Sequence, residues 1–129
     1  EDCHVILRGG KVPNYDAVHV DAAAKEIAVA ALAARLMIDL SHANSSKEFK
    51  RQIEVAKDVA GQLAAGDERI IGVMVESHLN EGRQNLVPGK PLEYGVSVTD
   101  ACIGWEDSVS VLEILAQGVR ARRLVEASQ

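Results

Sequence analysis

Short apolar runs alternate with longer segments of helical periodicity along this chain, and this alternation constrains its fold more than any other feature. The helical segments carry apolar residues at intervals of four and three positions, which places them on one face of a helix. The apolar runs are short and stop at glycine or polar residues, as strands do. The predicted strands are 4–8, 36–40, 70–75 and 96–99, and the predicted helices are 17–35, 46–65 and 107–124.

Strands that alternate with helices form parallel sheets, because each helix carries the chain back to the edge from which the next strand starts. The predicted fold class is therefore α/β. Four such units make either half of a (β/α)8 TIM barrel or a small open, doubly wound sheet, and the periodicity leaves both open. No linker or change of composition divides 1–129, which predicts a single domain.

Several local signals refine these elements. The pattern Ser45-x-x-Glu48 matches a capping box at the start of the second helix. The run 70–75 is apolar throughout, which predicts a strand covered on both faces. No periodicity is sustained over 77–95, and a loop of that length inside a compact domain is usually functional or disordered. The last helix is expected to turn these residues inward: Val109, Leu112, Leu115 and Val119.

Composition argues against several classes of function. The 129 residues are 47% hydrophobic but only 3% aromatic, which indicates an aliphatic core typical of helices laid over a parallel sheet. The net charge is −5 and the cationic residues are dispersed, apart from three arginines in 120–123, so no nucleic-acid-binding face is expected. Neither a signal peptide nor an apolar run of about 18 residues occurs. The two cysteines, Cys3 and Cys102, give no disulfide framework and no metal-ligand spacing. We expect a cytoplasmic protein with no membrane partner.

Each predicted strand ends in a residue that can bind a ligand. The carboxyl ends of parallel strands lie on one rim of a sheet, so these side chains are expected to converge although they are distant in sequence. One imidazole and two carboxylates supply the N and O ligands that suit Mn²⁺, Fe²⁺, Co²⁺ or Zn²⁺. An arginine beside two glycines suits a phosphate or carboxylate. We predict His42, Glu76 and Asp100 as metal ligands, His42 and Asp100 as catalytic residues, and Arg8 as substrate-binding.

Residues near these positions are secondary candidates. Asp39 and Ser41 flank the turn at His42 and are predicted to contact substrate or to support the ligand, and Asp39 is taken as substrate-binding. His78 could be a further ligand, although a solvated loop histidine is the more common interpretation. Cys102 could lie near an ion or be a buried structural thiol.

Four motifs make the sequence similar to a known family. They are EDCHVILRGG at 1–10, MIDLSHANSSK at 37–47, IIGVMVESHL at 70–79 and TDACIGWED at 99–107. In this order and spacing they closely resemble type I 3-deoxy-D-arabino-heptulosonate-7-phosphate (DAHP) synthase, in its feedback-regulated bacterial and fungal class. The resemblance covers essentially the whole chain.

This resemblance implies a (β/α)8 barrel enzyme that condenses phosphoenolpyruvate with erythrose 4-phosphate and releases phosphate. The reaction is the first step of the shikimate pathway to aromatic amino acids. By motif, His42, Glu76 and Asp100 match three of the family's four metal ligands, and Arg8 matches an arginine that grips the phosphoenolpyruvate phosphate. In the family the metal is thought to polarise the aldehyde that the enol carbon attacks.

Part of the family's pattern is missing from this sequence. The fourth ligand is an upstream cysteine, and a Lys-Pro-Arg-Thr segment also lies upstream, whereas neither Cys3 nor Cys102 matches that ligand motif. We therefore expect the chain to be the C-terminal half of the barrel, with about four β/α units, and to be inactive alone. Its open strands would need the missing N-terminal half or a second copy, and a homo-oligomer is expected.

Two other hypotheses stay open on the sequence. One is a different aldolase or hydrolase that uses a divalent metal at a His/Glu/Asp site. The other is a non-catalytic half-barrel domain that self-associates without metal.

Overall fold

Three parallel strands and three α-helices make up the computed structural model, which describes residues 4–127. The predicted order of strand, helix, strand, helix, strand is confirmed, and so is the final helix. The elements are β1 (Val5–Leu7), α1 (Ala17–Val29), β2 (Leu36–Asp39), α2 (Gln52–Ala64), β3 (Ile70–Met74) and α3 (Trp105–Glu126).

The sheet has the order β1-β2-β3, and both pairings are parallel. Leu36 of the central strand pairs with Val5 on one side and Ile70 on the other. Parallel pairing brings the three carboxyl ends to the same edge. The predicted α/β class with a parallel sheet is therefore confirmed.

The predicted fourth strand, 96–99, does not join this sheet. Ser97 forms only an isolated bridge with Arg83, inside the long excursion between β3 and α3. Side chains of the excursion take the backbone groups that a ladder would use: Gln84 Nε2 donates to Val96 O at 2.8 Å, and Thr99 N donates to Ser97 Oγ at 3.2 Å. Such local bonds compete with a strand ladder. The prediction of a fourth strand is wrong, whereas the irregular loop predicted for 77–95 is confirmed.

The first helix begins where predicted and ends six residues early. Asp16 caps it by accepting hydrogen bonds from the backbone N–H groups of Val18 and His19. Beyond Val29 the chain turns, and Ala31 adopts a left-handed φ of 58°. A helix cannot continue through that conformation.

The second helix begins six residues later than predicted. Ser46 and Lys47 have left-handed φ angles of 55° and 63°, and a short 3-10 turn, Phe49–Arg51, then leads into α2. Glu48 makes no side-chain capping bond, and Ser45 Oγ instead donates to His42 O at 3.3 Å. The predicted capping box is wrong because the turn after His42 reverses the chain before any helix starts.

Helices α2 and α3 pack against each other and cover the sheet on one side. Gly118 makes their close approach possible, because a Cβ atom there would lie 2.7 Å from Ala60 O. Leu115 is buried and Val119 packs against the core as predicted, but Val109 and Leu112 are exposed. The buried core comprises Leu7, Val20, Leu36, Ile38, Leu40, Val55, Ala56, Val59, Leu63, Ile70, Ile103, Val111 and Leu115.

Part of the sheet surface carries apolar side chains that the described residues leave uncovered. Val5, Ile6 and Ile71 are 44%, 48% and 51% exposed. The prediction that the 70–75 strand is covered on both faces is therefore wrong for this chain. None of the helices in 4–127 combines the length and apolar character required to cross a membrane.

Candidate metal centre

The residues at the predicted strand ends meet around one cavity of about 500 Å³. Arg8 follows β1, His42 and Glu76 lie a few residues past β2 and β3, and Asp100 comes from the long excursion. All four line the cavity, so the predicted convergence is confirmed. Asp100 reaches this place without a strand, because the excursion itself carries it back to the carboxyl edge.

Three of these side chains form a compact group of metal-ligand type. His42 Nε2 lies 3.7 Å from Asp100 Oδ2 and 4.0 Å from Glu76 Oε1, and the three ligand atoms all lie within 4.8 Å of one another. An ion bonded at about 2.0–2.2 Å to each ligand holds pairs of ligand atoms no more than about 4.4 Å apart. The group therefore fits one ion after a contraction of a few tenths of an ångström.

The hydrogen bonds of Asp39 determine which nitrogen of His42 faces this group. Asp39 Oδ2 lies 2.7 Å from His42 Nδ1, and Asp39 Oδ1 accepts from Ser41 Oγ at 2.7 Å and from Ser41 N at 2.8 Å. Ser41 Oγ also lies 2.8 Å from His42 Nδ1. Because its hydroxyl hydrogen is used in the hydrogen bond to Asp39, Ser41 Oγ can only accept from Nδ1. Both neighbours of Nδ1 are thus acceptors, so Nδ1 carries a proton and Nε2 is the ring nitrogen that remains to bind an ion in the cavity.

Asp39 therefore lies behind His42. It is 2% exposed and is absent from the cavity wall, so the predicted substrate contact finds no support in its position. Its place matches the other role considered for it, as the hydrogen-bond partner of a metal ligand.

A buried asparagine that the sequence did not single out joins the ends of β1 and β2. Asn44 Nδ2 donates to Leu7 O at 3.0 Å and to Asp39 O at 2.7 Å, and Asn44 Oδ1 accepts from Asn14 N at 2.8 Å. These bonds set the spacing between Arg8, which follows Leu7, and the turn that carries His42. An asparagine in the turn after a predicted strand was the only sequence signal for this role.

The same turn requires a glycine from the β1 end. Gly9 has a φ of 77°, and a Cβ atom there would lie 2.7 Å from Ala43 Cβ. Only glycine fits both the left-handed backbone and this close approach. His42 itself adopts a φ of 50°.

Cationic side chains share the cavity with the acidic ones. Arg8, the predicted substrate-binding residue, lines it together with Lys47 and Arg83, which sequence reasoning missed. Lys47 comes from the strained turn before α2, and Arg83 donates to Asn85 Oδ1 at 3.1 Å. The combination of cations with a metal-ligand group is suited to an anionic ligand.

The remaining candidates lie near the group or outside it. Cys102 is buried, its Sγ is 3.9 Å from Glu76 Oε2, and burial raises the pKa of its thiol, as does the charge of Glu76. It is thus a buried thiol beside the site. His78 is exposed and its Nδ1 accepts from Leu79 N at 2.8 Å, and it is not part of the ligand group found in 4–127. Cys3 lies outside the described residues.

The fold and the site define an α/β protein with a candidate divalent-metal centre at the carboxyl ends of parallel strands. Comparison with known proteins gives the family. The model of the DAHP synthetase I family matches residues 1–113, and the chain therefore belongs to that family. The resemblance seen in the four motifs is confirmed.

The relatives are named for one activity. The chain is 60% identical over 122 residues to the Phe-sensitive phospho-2-dehydro-3-deoxyheptonate aldolase of Escherichia coli strain K12. The alignment covers 95% of this chain and 35% of that protein. It is 53% identical over 128 residues to a tyrosine-inhibited form from Schizosaccharomyces pombe, covering 95% of this chain and 34% of the relative. A solved structure of the Francisella tularensis aldolase superposes with a TM-score of 0.87 at 44% identity, covering 92% of this chain and 35% of that one. The chain thus spans about a third of the length of these relatives.

Proposed function

We propose that this chain, as a single domain over 1–129, forms the metal-bearing C-terminal part of a (β/α)8 barrel DAHP synthase. The complete protein would condense phosphoenolpyruvate with erythrose 4-phosphate and water to give DAHP and phosphate. The observation that carries the proposal is the grouping of His42, Glu76 and Asp100 within 4.8 Å beside Arg8, at the carboxyl edge of a parallel sheet, in a chain of this family. The described residues contain a three-stranded parallel sheet, which would supply three strands of the barrel.

Each of the site residues has a role that its position supports. His42 Nε2 and carboxylate oxygens of Glu76 and Asp100 would hold a divalent ion, which as a Lewis acid would polarise the aldehyde carbonyl of erythrose 4-phosphate. Asp39 keeps the proton of His42 on Nδ1, which leaves Nε2 free to bind. Arg8 presents a planar guanidinium that suits the phosphate of phosphoenolpyruvate.

The uncovered apolar residues of the sheet support the partner part of the proposal. Val5, Ile6 and Ile71 expose about half of their surface, and β1 and β3 are both edge strands in the described sheet. Exposed edges and apolar faces of this kind pair readily with another chain segment. We take the occupant to be the remainder of the barrel, with a second copy of this chain as the alternative.

The test uses the complete natural protein in which this sequence occurs. With phosphoenolpyruvate, erythrose 4-phosphate and Mn²⁺ it should form DAHP, and a chelator should abolish the reaction. His42→Ala and Glu76→Ala should each reduce kcat by about 100-fold or more, because each removes a ligand. The 129-residue chain alone should form no DAHP.

Other results would point to other functions. Hydrolysis of a phosphate or carboxylic ester that is lost in Glu76→Ala, with phosphoenolpyruvate binding unaffected, would identify a metal-dependent hydrolase instead. A stable dimer of the isolated chain that binds no Mn²⁺ would favour a self-associating half-barrel domain.

A further inference from the structure

Glu76 lies beyond the part of the sheet that could hold it in place. The register between β2 and β3 ends at Asp39 opposite Met74, and the last bond across it runs from Leu40 N to Met74 O at 2.9 Å. Glu76 is two residues further on. Its backbone therefore needs partners other than a neighbouring strand.

A glutamine side chain provides them. Gln52 Nε2 donates to Glu76 O at 3.0 Å, and Gln52 Oε1 accepts from Glu76 N at 2.9 Å. This two-way exchange is the pattern of a hydrogen-bonded residue pair in a sheet, here made by one side chain. Ile103 N also donates to Glu76 O at 3.0 Å, so both backbone groups of Glu76 are fixed.

The environment of Gln52 makes this contact specific to an amide. The residue is 0% exposed and opens α2, directly after the 3-10 turn. A carboxylate or an ammonium could not both donate and accept there, and an apolar side chain could do neither. A buried amide is costly to desolvate unless its hydrogen bonds are made, so its presence in the core is explained by the bonds to Glu76.

We propose that Gln52 is a positioning residue for the metal centre, which fixes the backbone of Glu76 and thereby directs its carboxylate toward His42 and Asp100. This inference rests on the metal centre proposed above. Loss of the two bonds would leave the Glu76 N–H without the acceptor Gln52 Oε1 and its carbonyl with the bond from Ile103 N alone. The Glu76 backbone would then be less ordered, and a ligand that must be ordered on binding gives weaker binding. Removal of the groups that orient a ligand typically weakens metal affinity 10- to 100-fold.

A second buried glutamine of α2 provides a matched control. Gln62 lies ten residues further along, about 15 Å away on the helix axis. Its Nε2 donates to Tyr15 O at 2.8 Å and to Asp58 Oδ1 at 2.7 Å, far from the ligands. Gln52→Met and Gln62→Met each remove one buried amide from the same helix, so both should lower the Tm.

The experiment measures Mn²⁺ affinity by titration calorimetry in the complete natural protein. Gln52→Met should weaken Mn²⁺ binding at least tenfold and speed hydrogen exchange of the Glu76 amide, whereas Gln62→Met should change affinity less than twofold. Gln52→Glu keeps the acceptor for Glu76 N and loses the donor to Glu76 O. It provides a second variant if Gln52→Met does not fold, and should also weaken binding severalfold.

His42→Ala separates the two levels of the proposal. If His42→Ala leaves Mn²⁺ affinity unchanged, the metal centre itself is wrong and the role of Gln52 fails with it. If His42→Ala removes Mn²⁺ binding while the Gln52 variant that folds binds as tightly as Gln62→Met, only the positioning role is overturned.

Discussion

Asp39 Oδ2 and His42 Nδ1 lie 2.7 Å apart, with the carboxylate buried behind the imidazole and the other ring nitrogen facing Glu76 and Asp100. A second pair in the chain has the same spacing and the same length: Asp16 Oδ2 lies 2.7 Å from His19 Nδ1 at the exposed start of α1. One pair borders the cavity and the other does not. Comparing them isolates what the buried carboxylate contributes.

Asp39→Asn is expected to weaken Mn²⁺ affinity about tenfold or more in the complete protein, because the carboxylate that keeps the proton on Nδ1 is lost. Asp16→Asn should change stability by less than about 0.5 kcal/mol, because asparagine caps helices about as well as aspartate, and should leave Mn²⁺ affinity unchanged. Calorimetric titration with Mn²⁺ measures both. Equal affinities in the two variants would contradict the role of Asp39.

Gly9→Ala is expected to destabilise the fold by about 2 kcal/mol or more. The new Cβ would meet Ala43 at 2.7 Å on a left-handed backbone, so overpacking and conformational strain act together. Gly10→Ala is the control, since a Cβ there meets nothing within 4 Å. Urea unfolding of both variants measures the difference. Equal urea midpoints for the two variants would contradict the prediction, because they would show that the turn at Ala43 moves to accommodate the new Cβ at little cost in free energy.

Asp67→Asn tests an acid-sensitive contact at the opposite end of the sheet from the cavity. Arg69 donates to both carboxylate oxygens of Asp67, and these bonds lower the pKa of Asp67. A lowered pKa in the folded state gives stability that is complete above pH of about 4 and is lost as the pH falls further.

The variant should be about 1 kcal/mol less stable than the wild type near pH 7. That difference should shrink as the pH falls from about 4 toward 2, because the wild type loses the contribution that the variant never has. Urea midpoints measured across this range provide the check. Parallel loss of stability in both proteins below about pH 4 would contradict the prediction.

Ile71→Lys tests whether the open sheet surface is covered in the complete protein. If the rest of a barrel lies over Ile71, the substitution places an unpaired charge at a buried site and should cost about 3 kcal/mol or more. Val29→Lys, at a residue that is 89% exposed at the end of α1, should change stability by less than about 0.5 kcal/mol. Thermal unfolding of the complete protein measures both, and two similar midpoints would place Ile71 in solvent.

The parts of the fold that follow from periodicity were predictable from the sequence. The apolar runs at 36–40 and 70–75 correspond to Leu36–Asp39 and Ile70–Met74, and the parallel arrangement placed His42 and Glu76 at one edge. Asp100 was also predicted correctly to lie at this edge, but the expected reason, a fourth strand over 96–99, was wrong. Its segment is held within the excursion by side-chain contacts and by isolated backbone bridges such as that between Gly82 and Cys102, and such contacts leave no periodic signal.

The buried amides of the site were not predictable. Asn44 and Gln52 are polar residues whose importance comes from backbone groups distant in sequence, at Leu7 and Glu76. No local pattern indicates which polar side chain will be enclosed by a core. The left-handed turn at Ser46 and Lys47 was hidden similarly, because the sequence there also satisfies a capping-box pattern.

The amide of Asn44 has a consequence for selectivity. Because it binds the carbonyl groups of Leu7 and Asp39 at once, the arginine after one strand and the imidazole after the next cannot shift independently. Their separation would therefore limit the length of a ligand that contacts both Arg8 and an ion held by His42. A ligand one bond too long or too short would have to distort to make both contacts, since Asn44 links the backbone segments that carry Arg8 and His42.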